Sequence, residues 1–297
     1  MTENLTLLGI FAHPDDESFG PGGMLAKYAA EGVEVHVCIA TDGAAGSYEP
    51  GLLEGYKNIA ERRADELKNA VAILGVRLHK LPYRDSGMEG SLDNNHPDSF
   101  YQAPLDEVAG HIVALMRTIR PHVVVAHDPT GGYFHPDHIK VNQGVSRAWE
   151  LVNEPTYSPP PLAPAILGGQ NMAGVAPLPP WQPLRLYWTA FPRTWIRRFI
   201  RILRLLGKDP TRFGRNNDID LTRLGTPEQL IHTRIDITDY LDVKLEASRQ
   251  HVSQDGGNSP WMRFPDFLRR RLFGKESFTQ AQPPAPIIKS DFFEGLR

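Results

Sequence analysis

The stretch AHPDDESFGPGG places one histidine and three acids, His13, Asp15, Asp16 and Glu17, within five positions. Carboxylates that close repel one another unless a cation or several donors hold them. The tripeptide HPD returns at His96 and at His135. Around His96, LDNNHPDSFYQ is a polar loop with no further ligand at close spacing, and it reads as a turn. The other two copies follow the apolar runs LTLLGIF and HVVVAHD, and each sets two candidate ligands three residues apart: His13 with Asp16, and His135 with His138. Imidazole and carboxylate suit a borderline dication such as Zn2+, and Fe2+ accepts the same donors. A catalytic site of this kind uses three protein ligands and leaves a place for water, whose proton is then easily lost; a spare acid alongside can act as base. Histidine and aspartate also cap helices or bond within a core, and either stretch alone supports that reading equally well. Two such stretches, both at strand ends, point to a metal.

Elements able to position these residues alternate along the first half. LTLLGIFA is a nearly continuous apolar run, as in a strand covered on both faces. GGMLAKYAAEG has helical spacing, VEVHVCIAT reads as a strand, YKNIAERRADELKNAVAILG as a long amphipathic helix closed by Gly75, and VRLHKLPY as a third strand. A helix over PLDEVAGHIVALMRTIR, the strand HVVVAHD and a helix over DHIKVNQGVSRAWELVN follow. This order predicts an α/β chain: a Rossmann-like three-layer αβα fold with a mostly parallel sheet and its active site at the C-terminal ends of the strands.

The second half is less regular. A Pro-rich loop spans 154–183, LRLYWTAF reads as a strand, and a basic helical insertion covers 193–225. Its helix RTWIRRFIRILRLLGK is expected to lie over the sheet edge on Trp195, Phe199, Ile202, Leu203 and Leu206, with a solvated basic face rather than a membrane-bound one. HTRIDITDYLDVKLEASRQHVSQ reads as a last strand and helix, so one domain covers 1–254, with 255–297 as an extension packed on or near it.

At 297 residues with a formal charge of −3, the chain has the balance of a soluble globular protein and no overall basic footprint for nucleic acid. The single cysteine, Cys38, excludes an intramolecular disulfide framework and reads as a buried hydrophobe. The first residues carry no basic leader and no run of membrane length, so a cytoplasmic enzyme without stable membrane insertion is expected.

AHPDDESFGPGGMLAKYAAEG together with PTGGYFHPDH resembles the LmbE/PIG-L family of zinc-dependent N-acetylglucosaminyl deacetylases, among them the mycothiol- and bacillithiol-pathway enzymes. YRDSGM and, more loosely, KLEASRQHVSQ extend the likeness to Gln254. It implies hydrolysis of the N-acetyl group of a small glycoconjugate such as GlcNAc-inositol or GlcNAc-malate. It implies His13, Asp16 and His138 as metal ligands, and Asp15 as the base that later delivers a proton to the amine. His135, oriented by Asp137, would stabilise the tetrahedral intermediate or share the acid role, and Tyr133 would swing over the carbonyl.

Arg84 and Asp85, on the loop after the third strand, are candidates for sugar hydroxyls, with a salt bridge inside the loop as the plain alternative. His127 and Asp128 read as groups that orient a ligand, Glu17 as a supporting acid and His251 as a surface histidine. Departures from the compact family pattern, namely the Pro-rich loop, the arginine-rich helix and the tail, are expected to wall the substrate cleft or mediate homo-oligomer contacts. The competing functions are an amidase of thiol-sugar conjugates, a metallophosphoesterase, for which more carboxylate ligands would be needed, and a non-catalytic sugar-binding protein, for which Asp15 would have no use.

Overall fold

Every residue of TLLGIF is buried, and these six form the central strand β1 (Thr6–Phe11). The computed structural model describes residues 5–164, 166, 178–214, 217–256, 264–285 and 289–297. After β1 come α1 (Asp16–Phe19), α2 (Gly22–Ala30), β2 (Glu34–Thr41), α3 (Ile59–Leu74), β3 (Arg77–Tyr83), α4 (Leu105–Ile119), β4 (Val123–Ala126), α5 (Gly131–Phe134) and α6 (Pro136–Leu151). The second half adds β5 (Arg185–Ala190), α7 (Arg193–Leu205), β6 (Thr233–Asp236), α8 (Leu241–Gln250), α9 (Asp266–Phe273) and β7 (Lys275–Gln282). The strands form one sheet in the order β3-β2-β1-β4-β5-β7-β6. The first five are parallel, and β7 runs antiparallel to both β5 and β6.

Successive residues of a strand face opposite sides, and β1 serves both layers. Leu8 and Ile10 pack with Val108, Ile112, Val141 and Val145 of α4 and α6, whereas Leu7 and Phe11 pack with Met24, Leu67, Val71 and Leu241 of α2, α3 and α8. Each such fully buried aliphatic or aromatic side chain contributes roughly 1.5–3 kcal/mol. Register then sets the site. Ile10 of β1 stands opposite Ala126 of β4, so the chain leaves both strands at one level, and His13 and His127 emerge side by side. Cys38 lies fully buried in β2, and burial pushes its thiol up to about 12.

Three features of the second half differ from the sequence reading. The sheet does not end at β6: KESFTQAQ inserts as β7 between β5 and β6, and Phe292 and Phe293 are fully buried in the core, so the tail is part of the fold. Its polar composition hid it. Glu276 is buried because it accepts hydrogen bonds from Gly23 N–H (3.0 Å) and Met24 N–H (2.7 Å) at the start of α2 and pairs with Lys244 (2.6 Å). Helix α7 buries Ile196, Ile200 and Leu203, not Ile202 and Leu206, which are exposed. That face covers a small core of its own with Leu221, Phe213 and Ile219, a cluster no local pattern announces. Of the Pro-rich loop, 165 and 167–177 lie outside the described residues. No described helix is long and apolar enough to cross a membrane.

Candidate metal and catalytic site

The loops after β1, β3 and β4 converge. His13 Nδ1 lies 3.1 Å from His138 Nε2 and 3.5 Å from Asp16 Oδ2, and the latter two atoms are 3.3 Å apart. Three donors around one dication with bonds of about 2.0–2.1 Å would stand about 3.4 Å apart in a tetrahedral arrangement, so the triangle fits such an ion. The other ring nitrogen of His13 faces Asp137 Oδ2 (3.2 Å) and Asp85 Oδ1 (3.4 Å), the carboxylate backing typical of a ligating imidazole. Asp137 is fully buried, and its Oδ1 has no hydrogen-bond partner, a buried anion best offset by positive charge nearby. Burial presses on every group here. It lowers His138 to about 4 and His135 well below the ordinary value, keeping both neutral with a lone pair available. It also opposes the charge on His13, but Asp85, Asp137 and Asp16 outweigh it and hold His13 well above its ordinary value.

The second HPD stretch is positioned by the turn before α6. Gly131 has φ +64°, and a Cβ there would meet the Cβ of His138 at 2.9 Å, so glycine alone lets the turn close on the ligand helix. Asp128 shapes that turn, accepting from Thr130 N–H (3.0 Å) and Gly132 N–H (2.8 Å), rather than orienting a ligand. His135 caps α6: its Nδ1 accepts Asp137 N–H at 3.2 Å. Asp137 therefore orients His135 through the backbone, while its carboxylate serves His13 and Ser86 N–H (3.0 Å). With Nδ1 occupied as acceptor, neutral His135 carries its proton on Nε2. Tyr133 brings its hydroxyl to 3.5 Å from His138 Nε2. His127 stacks on His138 with centroids 3.8 Å apart and accepts Ala12 N–H at 3.1 Å, so it braces the cluster as expected.

Asp15 sits at φ 141°, strained for a residue with a side chain, and two contacts hold it there. Its N–H donates to Glu17 Oε2 (2.9 Å), and its Oδ2 accepts from Arg63 Nη2 (3.1 Å). Burial raises the Asp15 carboxyl to about 6, with Arg63 opposing and Asp16 adding to the rise. Arg63 was missed from sequence. It is 2% exposed, also donates to the carbonyls of Pro14 (2.7 Å) and Gly43 (3.0 Å), and stands 3.9 Å from Asp85. The available signal was its place on the buried stripe of α3 with Ile59, Leu67, Ala70, Val71 and Leu74, where a lone arginine needs a reason. Gly43 makes room for it: a Cβ there would lie 2.6 Å from the guanidinium.

The remaining candidates divide. Asp85 is in the cluster, 3% exposed, with Oδ1 accepting Gly87 N–H at 2.9 Å. Arg84 is turned away to Asp93, the salt bridge within the loop. His96 is exposed at the end of a short 3-10 turn. His251 is not on the surface. It is fully buried with Nε2 2.7 Å from Glu17 Oε1, which also accepts from Ser18 Oγ at 2.6 Å. Burial opposes its charge, yet Glu17 holds the imidazole above its ordinary value. Glu17 thus ties α1 to the end of α8, which is how the KLEASRQHVSQ segment reaches the site.

Residues 8–149 match the PIG-L family, described as GlcNAc-PI de-N-acetylase. A protein of Streptomyces avermitilis named 1D-myo-inositol 2-acetamido-2-deoxy-alpha-D-glucopyranoside deacetylase is 35% identical over 302 residues, covering 98% of this chain and 97% of the relative. A protein of the same name from Thermobispora bispora is 35% identical, covering 95% of this chain and 90% of its own length. Among solved structures, N,N'-diacetylchitobiose deacetylase from Pyrococcus horikoshii superposes with a TM-score of 0.58 at 22% identity, covering 94% of this chain and 84% of that one; it supports the fold.

Proposed function

The chain belongs to the PIG-L family of de-N-acetylases, and from that premise we propose that it removes the acetyl group from an N-acetylglucosamine glycoside of the kind its relatives are named for. The observation that carries this reading is the triangle of His13, Asp16 and His138, with edges of 3.1–3.5 Å and the strained, buried Asp15 beside it. Other donors crowd the same space: His135, His127, Asp85 and Asp137 each offer an atom within 4.8 Å of two members of overlapping groups. They are engaged elsewhere, His127 and His135 on backbone N–H groups, Asp85 and Asp137 on the far nitrogen of His13. The family's motif positions assign the ion to His13, Asp16 and His138, whose Asp16 Oδ2 also accepts His13 N–H at 2.7 Å, and Zn2+ fits that donor set.

A dication there would acidify a water and polarise the acetamide carbonyl. Asp15 takes the proton of the attacking water, and Arg63 fixes the direction of its carboxylate. The protonated Asp15 then returns the proton to the departing amine. His135, with its proton on Nε2, and Tyr133 supply donors to the oxygen on which negative charge grows. Asp85, whose Oδ1 is taken by His13 and Gly87 N–H, would accept a sugar hydroxyl through Oδ2. The test is acetate release from 1D-myo-inositol 2-acetamido-2-deoxy-α-D-glucopyranoside by zinc-loaded protein and by the same protein after chelation. Release by the loaded form alone supports the reading, and no release by either form from this glycoside or from simple alkyl N-acetylglucosaminides refutes it.

A further inference from the structure

A cavity of about 520 Å³ lies beside the catalytic loops, and none of the His/Asp cluster lines it. Its walls include Phe19, Phe191, Trp195, Leu245, Leu272 and Phe273. Five cations stand on those walls: Lys244 is answered by Glu276 (2.6 Å), Arg234 by Glu228 (2.7 Å) and Arg269 by Asp266 (2.9 Å), and Arg271 and Lys275 line the cavity as well. The lining surface is nonetheless mostly apolar, with Thr189, Ser248 and Ser277 among its polar members, and the volume falls in the range of small-molecule sites.

Two walls are continuous with the site. Phe19 ends α1, the helix that Asp16 begins, and its ring meets that of His251 at 5.8 Å. Phe191 follows β5 and lies 3.8 Å from where a Cβ on Gly132 would stand, next to Tyr133. A group attached to a sugar held at Asp15 and Tyr133 would thus have apolar walls on both sides of its exit. The inositol of the relatives' named substrate is polyhydroxylated, and walls dominated by Phe19, Phe191, Trp195, Leu245, Leu272 and Phe273 suit an apolar group better than its hydroxyls.

We propose that this cavity is an aglycone subsite that takes an alkyl or aryl group joined to the anomeric oxygen of N-acetylglucosamine. The inference rests on the deacetylase reading above and names the substrate class of that same site. Its test is a series of methyl, butyl and octyl 2-acetamido-2-deoxy-α-D-glucopyranosides, kept below their micelle concentrations and offered to the zinc-loaded full chain. The kcat/KM for acetate release rises by up to about fourfold per added methylene, mainly through KM, because each buried methylene contributes about 0.8 kcal/mol. Leu272→Trp, which fills the cavity from α9, flattens the series and leaves the methyl glycoside within about twofold of wild type. Should that variant fail to fold, Leu245→Phe fills the opposite wall with the same expected result.

A flat wild-type series with turnover of the methyl glycoside overturns the subsite and leaves the deacetylase reading standing. Absence of turnover on every glycoside, including the inositol one, overturns the deacetylase reading, and the cavity is then judged by calorimetric binding. Tighter binding of the octyl than the methyl glycoside, lost in the filled variant, supports the subsite; equal binding overturns it.

Discussion

Two groups of buried histidines occupy the same sheet, and only one of them is built for chemistry. His36 on β2 and His79 on β3 stack with centroids 5.1 Å apart, joined by a 2.8 Å hydrogen bond between Nδ1 and Nε2. Among the described residues their ion-pair partner is Glu34, 3.1 Å from His36 and partly exposed. Burial lowers both, His79 to about 4. His13, His127, His135 and His138 are just as buried, but Asp16, Asp85 and Asp137 come with them, and His13 Nδ1 and His138 Nε2 meet at Asp16 Oδ2. Burial alone makes a histidine neutral and inert. Convergence on carboxylates, at strand ends where loops can open, turns the same side chain into a ligand or a proton donor.

The sharpest way to break this contrast is Asp15→Asn, which leaves the triangle intact but removes the base. Acetate release is expected to fall by about 10²–10⁴ with metal content unchanged, since that is what a positioned general base contributes. Normal turnover by this variant would remove Asp15 from the mechanism. Arg63→Met comes next. It frees the Asp15 carboxylate to turn and leaves the Pro14 and Gly43 carbonyls without their donor, so kcat is expected to drop by about 10–100-fold with KM little changed, by analogy with other misplaced catalytic groups. An unchanged kcat would reduce Arg63 to a packing role.

The inert pair gives the smallest effect and the cleanest control. An unfolded histidine titrates near 6.5, while folded His79 titrates near 4, so between those values the unfolded chain binds more protons. Stability from His79 is therefore complete near neutral pH and falls as the pH drops below about 6.5, by about 2 kcal/mol at pH 5. In urea unfolding, wild type is expected to lose that much more between pH 7 and pH 5 than His36→Leu/His79→Leu, and the double variant should deacetylate like wild type. An equal pH dependence in the two proteins would show that the pair is not buried neutral.

Much of this was legible in the chain. The alternation of apolar runs and helical patterns gave the parallel core because β1, β2 and β4 are buried between helices and are nearly continuously apolar, whereas β3, at the sheet edge, alternates. The cluster of His13, Asp16 and His138 was legible because its members sit in two short motifs at strand ends. What escaped did so for a shared reason: residues whose environment is set by distant parts of the chain. Arg63 and His251 face the site from α3 and the end of α8, 48 and 234 residues along the chain from their partners Asp15 and Glu17, and no short motif ties them to the site. β7 was hidden because Glu276 looks like a surface residue until the start of α2 and Lys244 are brought beside it. The 193–225 insertion was read by helical periodicity alone, whereas Arg223 reaches back to lie 4.3 Å over the ring of Phe134 in the site loop.

The central claim is that convergence, not burial, makes the metal site, and zinc titration of the metal-free protein tests it most directly. Wild type and His36→Leu/His79→Leu are expected to bind one equivalent each with the same affinity, and His138→Ala to lose that tight equivalent. Retention of tight binding by His138→Ala, or its loss when the β2 and β3 pair is removed, would contradict the account.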